Sequence, residues 1–245
     1  MKCVIIIQAR YGSSRLPGKV LADVCGRPML VRQLARLLLC REANELLVAT
    51  TQEVEDDPVA AAAQSIGVNV HRGSTNDVLG RFVTAALASE ADIVVRVTAD
   101  CPLIDPETTD RVIRALVAYR HQGDYASNVI RRTYPRGLDT EAMFLDTLLR
   151  MDRFSRTPRE REHVTLAARG PDPSVFLRHD VVDDDDNSDL RWTVDTAEDL
   201  ALVRTIYDGL ELDRRAVSYR EVLAWVRERP ELSLTNASST TWSPV

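Results

Sequence analysis

"KCVIIIQARYGSSRLPGK", residues 2–19, runs from a continuous apolar stretch into a loop with two glycines, two serines, a proline and three cations. An unbroken β-branched run predicts a strand buried on both faces, as in a parallel sheet, and not the alternating strand of a half-exposed one. The loop over 8–19 then carries Arg10, Arg15 and Lys19 among Gly12, Ser13, Ser14 and Gly18. Glycines let the backbone approach a ligand closely, and successive N–H groups form an anion-binding concavity. Arginine adds forked donors for phosphate oxygens, and lysine a movable point charge. The spacing matches neither the P-loop nor G-x-G-x-x-G. A solvated basic loop joining strand to helix would have the same composition.

The alternation continues outward from this unit. A helix is predicted over 28–39, a strand at "ELLVATT" (45–51), and a helix over "DDPVAAAAQSIG" (56–67) ending at Gly67. "VNVHRG" (68–73) reads as a short strand, and Asp77 opens a helix with Val78, Leu79, Phe82, Val83 and Ala86 along one face. "ADIVVRVTADCP" (91–102) is the next buried strand, followed by a helix over 106–119. This rhythm predicts an α/β fold, a mainly parallel sheet flanked by helices. Ligands of such sheets bind outside the carboxyl ends of the strands. The 8–19 loop, the turn over 72–77 and Asp100 all fall at that edge.

Between 125 and 182 the elements become shorter and more polar, which predicts an inserted smaller subdomain. Its basic set is Arg131, Arg132, Arg136, Arg159, Arg161 and His163. These residues suit either an anionic group or an ordinary charged surface. Regularity returns at "LRWTVDTAEDLALVRTIY" (190–207), read as a strand, a Thr196–Asp199 capping box and a helix. "SYREVLAWVRE" (218–228) reads as a final helix capped by Ser218 and Glu221. The uncharged tail from Ser233 is expected to be disordered, leaving one domain over 1–232.

With 245 residues and 44% hydrophobic content, the chain can bury the core of one large domain. A net charge of −6 argues against a protein that coats nucleic acid. Cys3, Cys25, Cys40 and Cys101 lie far apart, which favours neither zinc nor a disulfide framework and fits a reducing cytoplasm. The apolar run 4–7 is too short for a secretory signal, and no stretch approaches a membrane span. A soluble cytoplasmic protein with neither nucleic-acid nor membrane partners is expected.

Asp100 and Asp195 each stand between a predicted strand and a helix, where a carboxylate suits Mg²⁺ or simply caps the helix. The Thr196–Asp199 box leaves Asp195 free for the first role. The run Asp183–Asp186 reads as a solvated turn, with a D-x-D metal motif as the alternative.

Taken together, "IIIQARYGSSRLPGKVL" (5–21) and "GRPML" (26–30) resemble the amino-terminal signature of the cytidylyltransferases that make CMP-activated sugars, such as CMP-Kdo and CMP-sialate synthetases. "RGSTNDVLGRF" (72–82), "VRVTADCPLIDP" (95–106), "DYASN" (124–128), "RTYPRGLDTE" (132–141), "REHVT" (161–165) and "LRWTVDTAEDL" (190–200) resemble the spore-coat-polysaccharide branch. The resemblance implies a Rossmann-like nucleotidyltransferase fold, often a homodimer joined through the middle segment. It also implies Mg²⁺-dependent transfer of CMP from CTP to an acceptor, with release of pyrophosphate, in polysaccharide biosynthesis.

By the same resemblance Arg10, Ser13, Arg15 and Lys19 grip the triphosphate, in a nucleotide-binding loop with Gln8, Ala9, Gly12 and Ser14. Arg72 and Ser74 read cytosine and ribose, beside Asp77. Asp100 and Asp195 hold the metal, and Asp100 joins Arg10, Arg15 and Lys19 in the catalytic set. Arg132, Tyr134, Arg136, Asp139, Glu141, Arg161 and His163 fall where the acceptor binds, and their charge suits a sugar acid, phosphate or phosphonate. Two rivals stand beside this reading. A glycosyltransferase of similar fold would need a D-x-D strand end, but Asp100 is followed by Cys101 and Pro102. An inactive nucleotide-binding protein would lack a loop cation or a metal aspartate, and none is missing.

Overall fold

The first strand, β1 (Cys3–Gln8), pairs in parallel with a neighbour on each side and is buried on both faces, Ile5 and Ile7 in one apolar cluster and Val4 and Ile6 in another. That explains its unbroken isoleucines, since neither face meets water. The computed structural model describes residues 1–234 except 14, 171 and 173. After β1 and its loop, a hairpin of β2 (Asp23–Val24) and β3 (Arg27–Pro28) turns at Cys25 and Gly26, both with positive φ. The first half then alternates α1 (Met29–Leu37), β4 (Glu45–Thr51), α2 (Asp57–Gln64), β5 (Asn69–Gly73), α3 (Val78–Ala88), β6 (Ile93–Thr98) and α4 (Pro106–Ala118).

The irregular segment supplies β7 (Tyr125–Ser127), β8 (Glu141–Phe144), α5 (Leu145–Phe154), α6 (Pro158–His163) and β9 (Arg178–Asp180). Its three strands extend the main sheet, whose order is β5-β4-β1-β6-β8-β7-β9. β8 runs antiparallel to both neighbours, and every other pairing in this sheet is parallel. From β1 the chain steps outward to β4 and β5, then returns to the other side of β1 as β6. The order therefore reverses between β1 and β6, which is where an open α/β sheet leaves a crevice at its carboxyl edge.

Helices α7 (Ala197–Gly209), α8 (Tyr219–Arg227) and α9 (Pro230–Leu234) complete the chain. The expected boxes cap α7 through Thr196 and Asp199, and α8 through Ser218 and Glu221. Residues 233–234, expected to begin a tail, instead close α9, and 235–245 lie outside the described residues. Two apolar clusters sandwich the sheet. A third joins α7 and α8 to Trp192, Tyr134, Val24 and Met29, with Leu16 of the basic loop packed against it. That third core brings the carboxyl-terminal helices up to the β1 edge.

The strand expected over 190–194 is absent. Its place is taken by a single parallel bridge between Arg136 and Arg191, with Trp192 N–H donating to the Arg136 carbonyl at 2.7 Å. The opposing chain turns at Gly137, whose φ of +107° ends any ladder there. A Cβ at Gly137 would stand 2.8 Å from the Trp192 carbonyl carbon, so the two backbones touch. Gly137→Ala combines that clash with an unfavourable φ, and should lower stability by about 2 kcal/mol or more in urea unfolding.

Candidate active site

Lys19 occupies the reversal point. The loop that delivers it is held by two backbone bonds: Tyr11 N–H donates to Asp56 at 2.6 Å, and Gly18 N–H donates to the Tyr11 carbonyl at 3.0 Å. Gly18 has φ +71° and lies against the Tyr11 ring, a tight turn that starts a short 3₁₀ segment at Lys19. The Lys19 ammonium donates to Asp195 Oδ1 at 2.8 Å and to the Val194 carbonyl at 2.7 Å, and it stands 3.4 Å from Asp100 Oδ2. Residues 81 and 176 positions away thus meet at one nitrogen.

Each carboxylate is also oriented from behind. The Thr98 hydroxyl donates to Asp100 Oδ1 at 2.5 Å. Asp195 accepts from Arg191 at 2.6 Å and pairs with Arg15 at 2.9 Å. Asp195 does not cap α7, because Thr196 and Asp199 fill that role. Burial alone would raise the Asp195 pKa, but hydrogen bonding and charge from Lys19, then Arg191 and Arg15, hold it below the ordinary carboxylate range. Burial would lower Lys19, and the Asp100 charge with the Asp195 hydrogen bond outweighs it and raises its pKa.

A cavity of about 350 Å³ opens here, with Arg10, Ser13, Arg15, Lys19, Asp100 and Asp195 in its wall, together with Gln8, Ala9 and Gly12. A second cavity of about 450 Å³ adjoins it through Gln8, Ala9, Arg10 and Glu162, and is closed by Thr75, Asn76 and Arg81. Two paired carboxylates and several cations thus share one cavity wall, a set with the chemistry to hold a polyanion.

The family model for cytidylyltransferases matches residues 4–165. The chain belongs to the cytidylyltransferase family. It is 31% identical to the spore coat polysaccharide biosynthesis protein SpsF of Bacillus subtilis, over 93% of this chain and 95% of that one. It is 34% identical to a 3-deoxy-manno-octulosonate cytidylyltransferase of Chromohalobacter salexigens, over 72% of this chain and 70% of that one. A cytidylyltransferase structure from Leptospira borgpetersenii superposes with TM-score 0.90 at 31% identity, covering 100% of this chain and 99% of the other.

Within this cytidylyltransferase the loop residues gather as expected, apart from Ser14, which lies outside the described residues. The turn expected to read the base faces the second cavity with different side chains. Arg72 turns away to Asp57 at 2.6 Å, and the Ser74 hydroxyl accepts from Asp77 N–H at 3.2 Å. Asp77 caps α3 through Gly80 N–H and takes both Arg161 donors, at 2.9 and 2.7 Å. None of the three lines either cavity, whereas Thr75 and Asn76 do. Arg161 therefore clamps α6 to α3, and it lines neither cavity.

The remaining acceptor set divides. His163 lines the first cavity, and burial holds its pKa below the usual imidazole value. Arg132 forks onto Asp139 at 2.6 and 2.8 Å, beside Arg136. Tyr134 is buried elsewhere, its hydroxyl accepting from Arg111 at 2.9 Å. Glu141 is buried in β8, where it accepts from Arg96, Tyr125 and Thr165. It lines neither cavity, and its partner Arg96 reaches Gln8 with its other arm at 3.1 Å. Asp183 is buried beneath Tyr219 and Arg220, so the acidic run is a structural turn.

Sequence reasoning missed Arg81, Arg96 and Arg191. Two carried a readable signal, a charge inside the buried strand "IVVRVT" and a charge on the apolar stripe of α3.

Lys19→Met strips a half-shielded cation from two carboxylates and should destabilise the free protein by about 1–3 kcal/mol. Asp195, depressed in the fold, contributes stability above the unfolded carboxylate pKa and loses it as pH falls through its folded value. Lys19, raised, contributes below the unfolded lysine pKa and loses it as pH rises through its folded value. The wild-type advantage in urea unfolding should therefore be flat from about pH 5 to 9 and shrink below about pH 4.

Proposed function

We propose that this cytidylyltransferase transfers CMP from CTP to an oxygen of an anionic acceptor, a sugar acid, a phosphate or a phosphonate, with release of pyrophosphate. The observation that carries this reading is the meeting of Lys19, Asp100 and Asp195 in a cation-lined cavity at the β1–β6 reversal point. CTP brings about four negative charges, and such transfers depend on positioning the reactants and neutralising charge. Arg10, Arg15 and Lys19, with Ser13 and the backbone at Gly12, take the triphosphate. The base enters the adjoining recess.

The donor set suits Mg²⁺. Asp100 and Asp195 reach a common point, now the Lys19 ammonium, from 3.4 and 2.8 Å. Magnesium characteristically takes one or two carboxylates and completes its shell with water and phosphate oxygens. Asp100 and Asp195 would hold the ion, which when bound supplies charge neutralisation and polarisation at the phosphates.

The acceptor lies on the His163 side. Arg136 pairs through its backbone with Arg191, which touches Asp195, so Arg132, Arg136 and Arg191 form a cationic flank beside the metal carboxylates. A carboxylate or phosphate nucleophile needs no general base. For a hydroxyl nucleophile, His163, biased to neutral by burial, offers a lone pair. The named relatives support an acidic sugar and polysaccharide biosynthesis. Four free thiols and the use of CTP support a cytoplasmic location. We read the working unit as a homodimer, which light scattering on the eluted protein would show as twice the 27.4 kDa chain mass.

The test is pyrophosphate release from CTP and Mg²⁺ across a panel of sugar acids, sugar phosphates and phosphonates. Sugar transfer from a nucleotide sugar, without pyrophosphate, would sink the reading. Asp195→Asn and Asp100→Asn should each cut kcat by about 10³-fold or more, with CTP affinity changed less than about tenfold. Lys19→Met should instead weaken CTP binding itself.

A further inference from the structure

Arg81 is the odd residue of α3. It lies on the buried stripe, only 2% exposed, and it lines the 450 Å³ recess beside Arg10. Its Nη1 donates to the Ser74 carbonyl at 2.7 Å, while its buried Nε has no partner, and it forms no ion pair among the described residues. Gly73 makes room for it, since a Cβ there would stand 2.9 Å from Arg81 Cγ. Burial and the nearby Arg10 charge disfavour this guanidinium, and the charges of Asp56 and Asp77, neither of them paired with it, only partly offset them. An arginine held this way is set to donate to a ligand.

The ligand class follows from the walls. Arg15 and Lys19 line only the neighbouring cavity, whereas this recess, which shares Ala9, Arg10 and Glu162 with it, adds Pro158 and Val78 to Thr75, Asn76 and Arg81. A flat, partly apolar heterocycle fits such a lining better than a second phosphate does. Arginine only donates, so the edge it meets must present acceptors. Cytosine offers O2 and N3 side by side, whereas uracil has a proton on N3. Glu162 on the rim is a natural acceptor for the cytosine amino group, and would repel the uracil carbonyl that replaces it.

We propose that Arg81 is the specificity-determining residue for the nucleobase, donating to the acceptor edge of cytosine and meeting uracil donor to donor. This rests on the CTP reading above. The Ser74 bond gives Arg81 a second effect, because it fixes the turn that carries Thr75 and Asn76.

The experiment compares kcat/KM for CTP and UTP in wild type, Arg81→Met and Arg81→Lys, together with binding of inorganic tripolyphosphate. Arg81→Met should lose about 50-fold or more with CTP and change less than about threefold with UTP, collapsing the preference, while tripolyphosphate binding stays unchanged. Arg81→Lys keeps the charge but not the fork, and should also lose the preference. It carries the test if circular dichroism shows that the methionine variant does not fold. Equal losses for CTP, UTP and tripolyphosphate would make Arg81 a phosphate anchor and overturn the proposal. So would an unchanged CTP/UTP ratio in an active variant. A wild-type enzyme that never turns over CTP would instead overturn the function on which the proposal rests.

Discussion

The Lys19 ammonium is the contact on which the site depends. It joins the loop after β1, the end of β6 and the entry to α7, which no local propensity would bring together. Partly buried charges are stable only when paired, so none of the three groups can leave without stranding the others. Arg15 and Arg191 pair with Asp195 from further out, and Thr98 secures Asp100. The third apolar core supplies the force that keeps the arrangement closed, because Leu16 and Val194 belong to it while flanking the ionic centre.

A second chain of contacts crosses from the sheet's far side. Glu141 sits in β8, the strand that runs against its neighbours, and is fully satisfied by Arg96, Tyr125 and Thr165. A buried carboxylate in that position would be unfavourable without its cation, and Arg96 in turn would be stranded in a central strand without Glu141. The pair allows β6 to carry a charge to the cavity floor, where Arg96 holds the Gln8 side chain. The irregular middle segment is thus tied to the nucleotide loop through the sheet itself.

What could be read from the chain depended on whether a signal was periodic or directional. Buried strands and amphipathic helices repeat, so β1, β4, β6 and α1 to α4 were legible from apolar spacing. Asp100 follows β6, and the strand end of a parallel sheet faces the crevice; Asp195 was singled out on a strand that does not form, and the Lys19 contact brings it to the same place. The strand at 190–194 was misread because Trp192 and Val194 alternate like a strand. What buries them is the third core and the close approach at Gly137, not a ladder. In the 72–77 turn the motif drew attention to a segment that lines a cavity, but sequence does not say which side chains turn inward. Arg72 found Asp57, Asp77 found Arg161, and the recess was left to Thr75, Asn76 and a helix residue four places on from Asp77. Tyr134 and Glu141 were drawn into the acceptor set by their motif, but both are buried and neither lines the two cavities, which a motif does not reveal.

The cover of both cavities follows from the same economy of contacts. Helix α6 is short and buries no residue of its own, so packing alone would not hold it. It is fixed by a Thr157–Glu160 capping box at one end and by the Arg161 clamp to Asp77 and Asp152 along its length. It stops at Val164, which is fully buried with φ +55°, a conformation a β-branched residue rarely takes. Such strain persists only where the surroundings over-determine it. Here Val164 is locked in the second apolar core and followed by Thr165 bonded to Glu141. The sharp stop turns Glu162 and His163 toward the cavities instead of letting the helix run on past them. Asp77, which lines neither cavity, therefore shapes the site by fixing the helix beside it.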